Sequence, residues 1–287
     1  MSIDLAYIKA YSNNLMLLCQ QKGSRLRNAV TVETGVVGEK KFVDQIASMT
    51  ATTKKSRIAP TPITEPTFKR RMITMYTYEH APVYDTIYDL QKMLVDPKSK
   101  LTQSAIYAMG RAMDQLIIDA ANGTAYYGKE GASSIALPSA QKVAAASSGL
   151  TIAKLLAAKQ KLDEAEVDQD DPRFIVCTAE QIGNLLGTTQ VTSADYNTVK
   201  ALASGQIDSF LGFKFIRSEL VAKTSTSRFC LAFAKSGIAL AIGKDVNVKV
   251  DERADLSYAT QIYASMTLGA ARIEEEKVVE IACIETA

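Results

Sequence analysis

Histidine occurs once in this sequence, at His80, and the four cysteines stand far apart. Each scarcity removes a class of chemistry. Cys19, Cys177, Cys230 and Cys283 form no CxxC pair, and with one histidine there is no zinc-ligand spacing, so no metal site is expected. Three of the cysteines lie in apolar strand-like runs, FIVC, RFCLAF and EIACIE, where a buried, reduced thiol is expected. That usage fits a reducing compartment. His80 precedes a proline-containing turn in YEHAPVYD; no nucleophile-elbow motif accompanies it, and a structural or surface role is expected. No apolar run approaches the ~18 residues that span a bilayer. MSIDLAYIKA carries no basic segment ahead of an apolar stretch, so neither a membrane partner nor a signal peptide is expected. A charge excess of one sign is missing too. Thirty-three Lys and Arg face 31 Asp and Glu, so any nucleic-acid role requires a local patch.

What is present is a core. The 287 residues are 47% apolar and 22% charged, the balance of a soluble globular protein, and the length corresponds to roughly two domains, or one large domain with appendages. Residues 3–21 show partial helical spacing. From Val30 to Phe68 the pattern breaks into short β-like pieces, AVTVETGVV, KFVDQIASM and RIAPTPITEPTF. Pro60, Pro62 and Pro66 confine the last to an edge or ribbon. RRMITMYTYEHA alternates with period two, the mark of a strand. The reading for 45–78 is a two-stranded excursion that returns on itself, marginal without another surface to lie on.

A short amphipathic helix is predicted at 84–95, and a long one follows. Asp96 caps it, Pro97 suits its first position, and Leu101, Ala105, Met109, Met113, Leu116, Ile117 and Ala120 share one face. Asn122-Gly123 is read as a left-handed stop, giving a helix roughly 36–39 Å long. Further helices are predicted at 150–166 and 194–203, and a third after a Thr178/Gln181 capping box, closed by Gly187. FIVC and FKFIRSEL read as strands. RFCLAFA and IALAIG are predicted to pair about a Lys-Ser-Gly turn, and YATQIYASMTLGA with KVVEIACIE about ARIEEE. The class is α+β, its halves joined near residue 150.

Three stretches carry possible chemistry. GTAYYGKE, at 123–130, matches all but the last position of a phosphate-binding loop. Glu130 stands where a magnesium-ligating hydroxyl belongs, and no helix follows, so a glycine-rich helix exit is the reading. DEAEVDQDD, at 163–171, holds six carboxylates without the glycine and spaced glutamate of a calcium loop; it reads as a solvated helix end. Its opposite is the ribbon, where Lys54, Lys55, Arg57, Lys69, Arg70 and Arg71 face only Glu65 between positions 48 and 75. Such a basic arm suits DNA, an acidic surface on a neighbouring copy, or solvent alone.

The order of elements resembles the major capsid proteins of tailed bacteriophages, with their Hong Kong 97-like fold. QQKGSRLRNAV, DPKS, RAMDQLIIDAANGTA, VTSADYNTVKAL and LGFKFIRSEL look like a podovirus-type branch of that family. The resemblance implies an N-terminal arm at 1–30, an extended loop across a neighbouring subunit at 31–80, and a peripheral domain with its spine helix at 81–169. It further implies an axial domain at 170–250 and return strands of the peripheral domain at 251–287.

The implied function is structural: self-assembly into the pentamers and hexamers of an icosahedral head around double-stranded DNA, held non-specifically. The six ribbon cations become inter-subunit contact candidates, and no enzyme activity, catalytic residue or cofactor is implied. The implied partners are further copies, a portal protein, a separate scaffolding protein (the arm begins at Met1) and a decoration protein. No C-terminal decoration domain is expected, since the chain stops after its last strand, and lysine-mediated cross-linking is not expected either. Localisation would be the virion, after assembly in the host cytoplasm. The alternatives are an encapsulin-type nanocompartment shell, a nucleotide enzyme using the 123–131 loop, and a non-specific DNA-binding protein acting through the ribbon.

Overall fold

The computed structural model describes residues 17–54, 56–58, 63–84, 98–187 and 209–285. The chain divides into two compact units. One comprises Met1–Ser24, Thr77–Met113 and Lys244–Leu268; the other comprises Arg25–Tyr76, Asp114–Gly243 and Gly269–Ala287.

The larger unit is built on a mixed sheet. Its strands run in the order Ser209–Phe210, Phe213–Arg217, Arg173–Cys177, Ser227–Ala234, Val278–Ile284 and Lys142–Val143, and Lys223–Thr224 flanks Ser227–Ala234. FIVC and RFCLAFA are unbroken apolar runs because their strands are covered on both faces. Helix α2, Ile152–Glu164, places Leu155, Ala158 and Leu162 on one face. Helix α3, Ala179–Leu186, adds Leu185, and these pack with Ile175, Phe213, Ala232, Val279 and Ile281. Cys177, Cys230 and Cys283 lie in the same core as free thiols. Burial pushes the Cys177 thiol up to about 12, so it stays protonated and inert. Lys154 is buried as well. Its ammonium donates to the carbonyls of Ala145 (2.6 Å), Ser148 (2.7 Å) and Ala282 (3.0 Å), fastening the left-handed turn at Ala146 and Ser147 to the Val278–Ile284 strand.

Both predicted hairpins are wrong. Ser227–Ala234 belongs to the mixed sheet, whereas Ile238–Arg253 belongs to a second sheet ordered Thr31–Thr34, Ile238–Arg253, Ala259–Arg272, Tyr76–His80. The Lys235–Gly237 turn is a single 3-10 turn between sheets. Asp171 holds it through Ser236 N (3.2 Å) and Oγ (2.5 Å), and Pro172 O accepts from Lys235 N (2.9 Å). Likewise Val278–Ile284 pairs with Ser227–Ala234, not with Ala259–Arg272. The capping box does not form either. Thr178 makes no side-chain cap bond, because its hydroxyl donates to Glu285 (3.4 Å), and the Gln181 amide turns to Leu150 N (2.8 Å) and Ile284 O (3.3 Å).

Helix α1, Lys98–Asn122, is about 37 Å long. In the smaller unit its Gly110 lies against the backbone of Gly23 and Ser24. An added Cβ would stand 2.5 Å from the Gly23 carbonyl carbon. Arg111 donates to Gln20 there at 2.9 Å. Residues 17–21 are not helical. Val83–Tyr84, at the start of the predicted 84–95 helix, is a short strand pairing with Thr260–Gln261. The rest of that helix, the cap residues Asp96 and Pro97, and the helix at 194–203 lie outside the described residues. No helix among the described residues is long and apolar enough to cross a membrane.

Candidate functional site

The ribbon is a third sheet, in the larger unit. Lys40–Ile46 pairs antiparallel with Phe68–Thr74 in the register Lys40↔Thr74 to Ile46↔Phe68. One more bond, Ala47 N to Thr67 O at 2.9 Å, extends the ladder. Beyond it, 48–54 and 63–67 hold no strand. The reading of a two-stranded excursion therefore holds for its base, and the ladder reaches back to residue 40.

A second hairpin completes this sheet. Ala125–Tyr127 pairs with Phe68–Thr74 and with Ser133–Ile135. GTAYYGKE thus forms the last residue after α1, one strand and the start of a turn. Gly128 adopts a φ of 98° and Gly131 of 74°, and a Cβ on Gly131 would sit 2.2 Å from Met72 Sδ. These glycines serve a turn and a close approach, with Lys129 and Glu130 exposed between them.

The root of the ribbon is bonded to the end of α1 through residues that sequence reading missed. Gly123 is not left-handed; it continues the helix with its N–H on Asp119 O at 2.7 Å. Arg272 stops the helix instead. Its side chain is fully buried, and Nη1 donates to Ala121 O and Gly123 O, both at 2.8 Å, while Nη2 donates to Ile135 O at 3.1 Å. A guanidinium on the last helical carbonyls satisfies acceptors that the helix leaves open and offsets their partial negative charge. Glu275 lies 3.8 Å from Arg272 Nε and receives Arg71 Nη2 at 2.5 Å. Arg71 Nε donates to Ile273 O at 2.9 Å, and its guanidinium lies over the Tyr127 ring. A second anchor is Asp114, buried in α1, whose carboxylate accepts Arg25 N (2.9 Å) and Leu26 N (3.1 Å). It secures the segment leading into the Arg27–Ala29 turn.

The six ribbon cations therefore divide. Arg71 is buried and bonded within its own chain. Arg70 forms a two-point pair with Asp44 across the ribbon and stacks over Phe42; its hydrogen bonds hold the Asp44 carboxyl below its ordinary value. Lys54, Arg57 and Lys69 are exposed, with no ion-pair partner among the described residues. Lys55 lies outside the described residues. Beside them stand apolar side chains left in solvent: Ile46 62%, Met49 62%, Ile58 86%, Ile63 93% and Phe68 66% exposed. A strip that is both apolar and basic is ill suited to solvent and well suited to another protein surface.

Elsewhere the chemistry is structural. His80 ends an exposed strand. Within the acidic run, Asp163 pairs with Arg173 at 2.6 Å and Asp171 binds Ser236, so two of its carboxylates hold the fold. Among the described residues no three His, Cys, Asp or Glu side chains gather as metal ligands.

Three solved structures share this fold. The capsid of cyanophage P-SCSP1u matches with a TM-score of 0.78 at 16% identity, covering 99% of this chain and 94% of that one. A structure from Mycobacterium phage Che8 gives 0.74 at 18% identity, covering 96% of both chains. The capsid of Ralstonia phage GP4 gives 0.76 at 10%, covering 98% and 96%. The fold is that of the Hong Kong 97-like capsid proteins. The phage capsid protein family model matches residues 3–285, and the chain belongs to that family. It is a structural, major capsid protein. No curated protein matches it by sequence.

Proposed function

We propose that this subunit builds the pentamers and hexamers of an icosahedral head around double-stranded DNA, and that its ribbon lies on a neighbouring copy. The observation that carries the reading is the strip from Ile46 to Phe68, with five large apolar side chains more than half exposed beside Lys54, Arg57 and Lys69. Full burial of such a side chain stabilises by roughly 1.5–3 kcal/mol, so the strip gains most when another copy covers it. In this reading 1–30 is an arm, 31–80 the extended loop, 81–169 the peripheral domain, 170–250 the axial domain and 251–287 the return strands of the peripheral domain. The chain has no catalytic role. A scaffolding protein, a portal protein and a decoration protein complete the particle, which assembles in the host cytoplasm.

Deleting 50–70 tests this reading: the cut removes the exposed strip and the Thr67–Arg70 end of the ladder, and leaves Lys40–Val43 able to pair with Arg71–Thr74 at its root. The expected product is a folded subunit that forms no shells by electron microscopy. Normal particles from the deletion would refute the reading. Nuclease-protected DNA in wild-type particles is expected, whereas a packaged enzyme would point to a nanocompartment.

A further inference from the structure

One long strand edge carries backbone donors and acceptors without a ladder. Ile238–Arg253 is 16 residues long. On the side away from Ala259–Arg272 it pairs, in parallel, with Thr31–Thr34, and only over Ala239–Ile242. From Lys244 to Arg253, in the smaller unit, no strand among the described residues lies on that side. Val246, Val248 and Val250 are half-buried along this stretch, while Lys249, Asp251 and Glu252 are exposed. The other outermost strands among the described residues have seven residues or fewer, so this is the longest open edge they contain. An unpaired edge is a template for a further strand.

The ribbon holds a segment suited to it. Residues 48–54, SMTATTK, contain no proline or glycine and include three threonines, which favour strands. All seven are exposed and none is in a strand. The returning limb is unsuited, because Pro60, Pro62 and Pro66 have no N–H to donate. We propose that residues 48–54 of one copy add to the Lys244–Arg253 edge of a second copy as a parallel strand. The inference rests on the assembly reading above. Direction follows from charge. Lys54 and Arg57, at the basic end of the segment, are exposed and have no ion-pair partner among the described residues. The same holds for Asp251 and Glu252 at the far end of the edge. Parallel pairing brings these ends together, whereas antiparallel pairing sets Lys54 against Lys244, a like-charge contact that opposes docking. Parallel is also the sense in which the strand accepts Thr31–Thr34. Main-chain bonds hold the added strand, and the charges fix its register.

An engineered disulfide reads the contact directly. A Cys19→Ser background removes the exposed native thiol. In it, Lys54→Cys with Asp251→Cys is expected to link copies when shells are treated with oxidised glutathione, giving a ladder on a denaturing gel. Unassembled subunits should stay single, and Lys54→Cys with Lys244→Cys should give no ladder. Shells that stay unlinked, that link only within one chain, or that link only through position 244 would overturn the proposal. The edge would then belong to the chain's own arm or to a different protein. Thr50→Pro with Thr53→Pro decides the matter where the cysteine pair forms no shells. Successive N–H groups of a strand alternate in direction, so one of these two faces the edge. This variant should raise the subunit concentration needed for shells at least tenfold, with the melt of the lone subunit unchanged, while Thr50→Ser with Thr53→Ser assembles as wild type. Wild-type assembly of the proline variant would overturn the proposal. If the 50–70 deletion forms shells, the assembly reading itself fails. If the deletion fails to assemble while the proline variant succeeds, only this proposal falls.

Discussion

Replacing Ile58 and Ile63 by serine removes apolar surface only where the ribbon is exposed. Both side chains are almost fully in solvent in the lone subunit, at 86% and 93% exposure. Their loss should therefore change its stability by less than about 0.5 kcal/mol. In a docked ribbon each would contribute roughly 1.5–3 kcal/mol if fully covered. Allowing for partial cover, the pair contributes about 2–4 kcal/mol per ribbon. At about 1.4 kcal/mol per tenfold, that weakens association roughly 30-fold to 1,000-fold. Light scattering across a concentration series reads the onset of assembly, and a thermal melt of the unassembled subunit reads its fold. Unchanged onset would refute the reasoning, because it would mean that Ile58 and Ile63 remain in solvent in the shell. A collapsed melt would refute it differently, by showing that the strip packs on its own subunit.

Three other outcomes follow from the root of the ribbon and the mixed sheet. Arg272→Met leaves three carbonyls without their buried donor and Glu275 without one of its cations; denaturant unfolding should show a loss of about 3–5 kcal/mol. Asp114→Ala frees the N–H groups of Arg25 and Leu26, and should cost about 1–3 kcal/mol with faster proteolytic cutting near residue 25. Glu285 reports on pH: burial opposes its charge, but hydrogen bonds from Arg228 and Lys223 prevail and hold its carboxyl below 4.5. A lowered folded value means that this stabilisation is complete above 4.5 and is lost as pH falls through the folded value. Acid melts should therefore show a decline in stability that is smaller in Glu285→Gln.

Local pattern identified elements better than partners. The long helix, α2 and the FIVC strand were legible because helical spacing and unbroken apolar runs report what a segment buries. Strand pairing was not legible, because period two marks a strand without naming its neighbour. RFCLAFA and IALAIG look like a hairpin until Asp171 and Pro172 are seen holding the turn between them, so that the chain changes sheets. The helix stop at Gly123 was read from local chemistry, yet its capping group is Arg272, 149 residues further on. A still longer separation, 202 and 204 residues, hid the fate of Arg71. Its spacing marked a basic stretch, but its partners are Ile273 and Glu275. Lys54, Arg57 and Lys69 sit in the same stretch and carry no partner that the described residues supply.

The central claim is that the ribbon is completed by another copy of the chain. Electron cryomicroscopy of assembled particles tests it most directly. The account predicts closed shells with five- and six-fold clusters, in which the Ile46–Phe68 strip of each subunit lies against a neighbour and its apolar side chains are covered. A shell in which that strip folds back on its own subunit, or stands free in solvent, would contradict it.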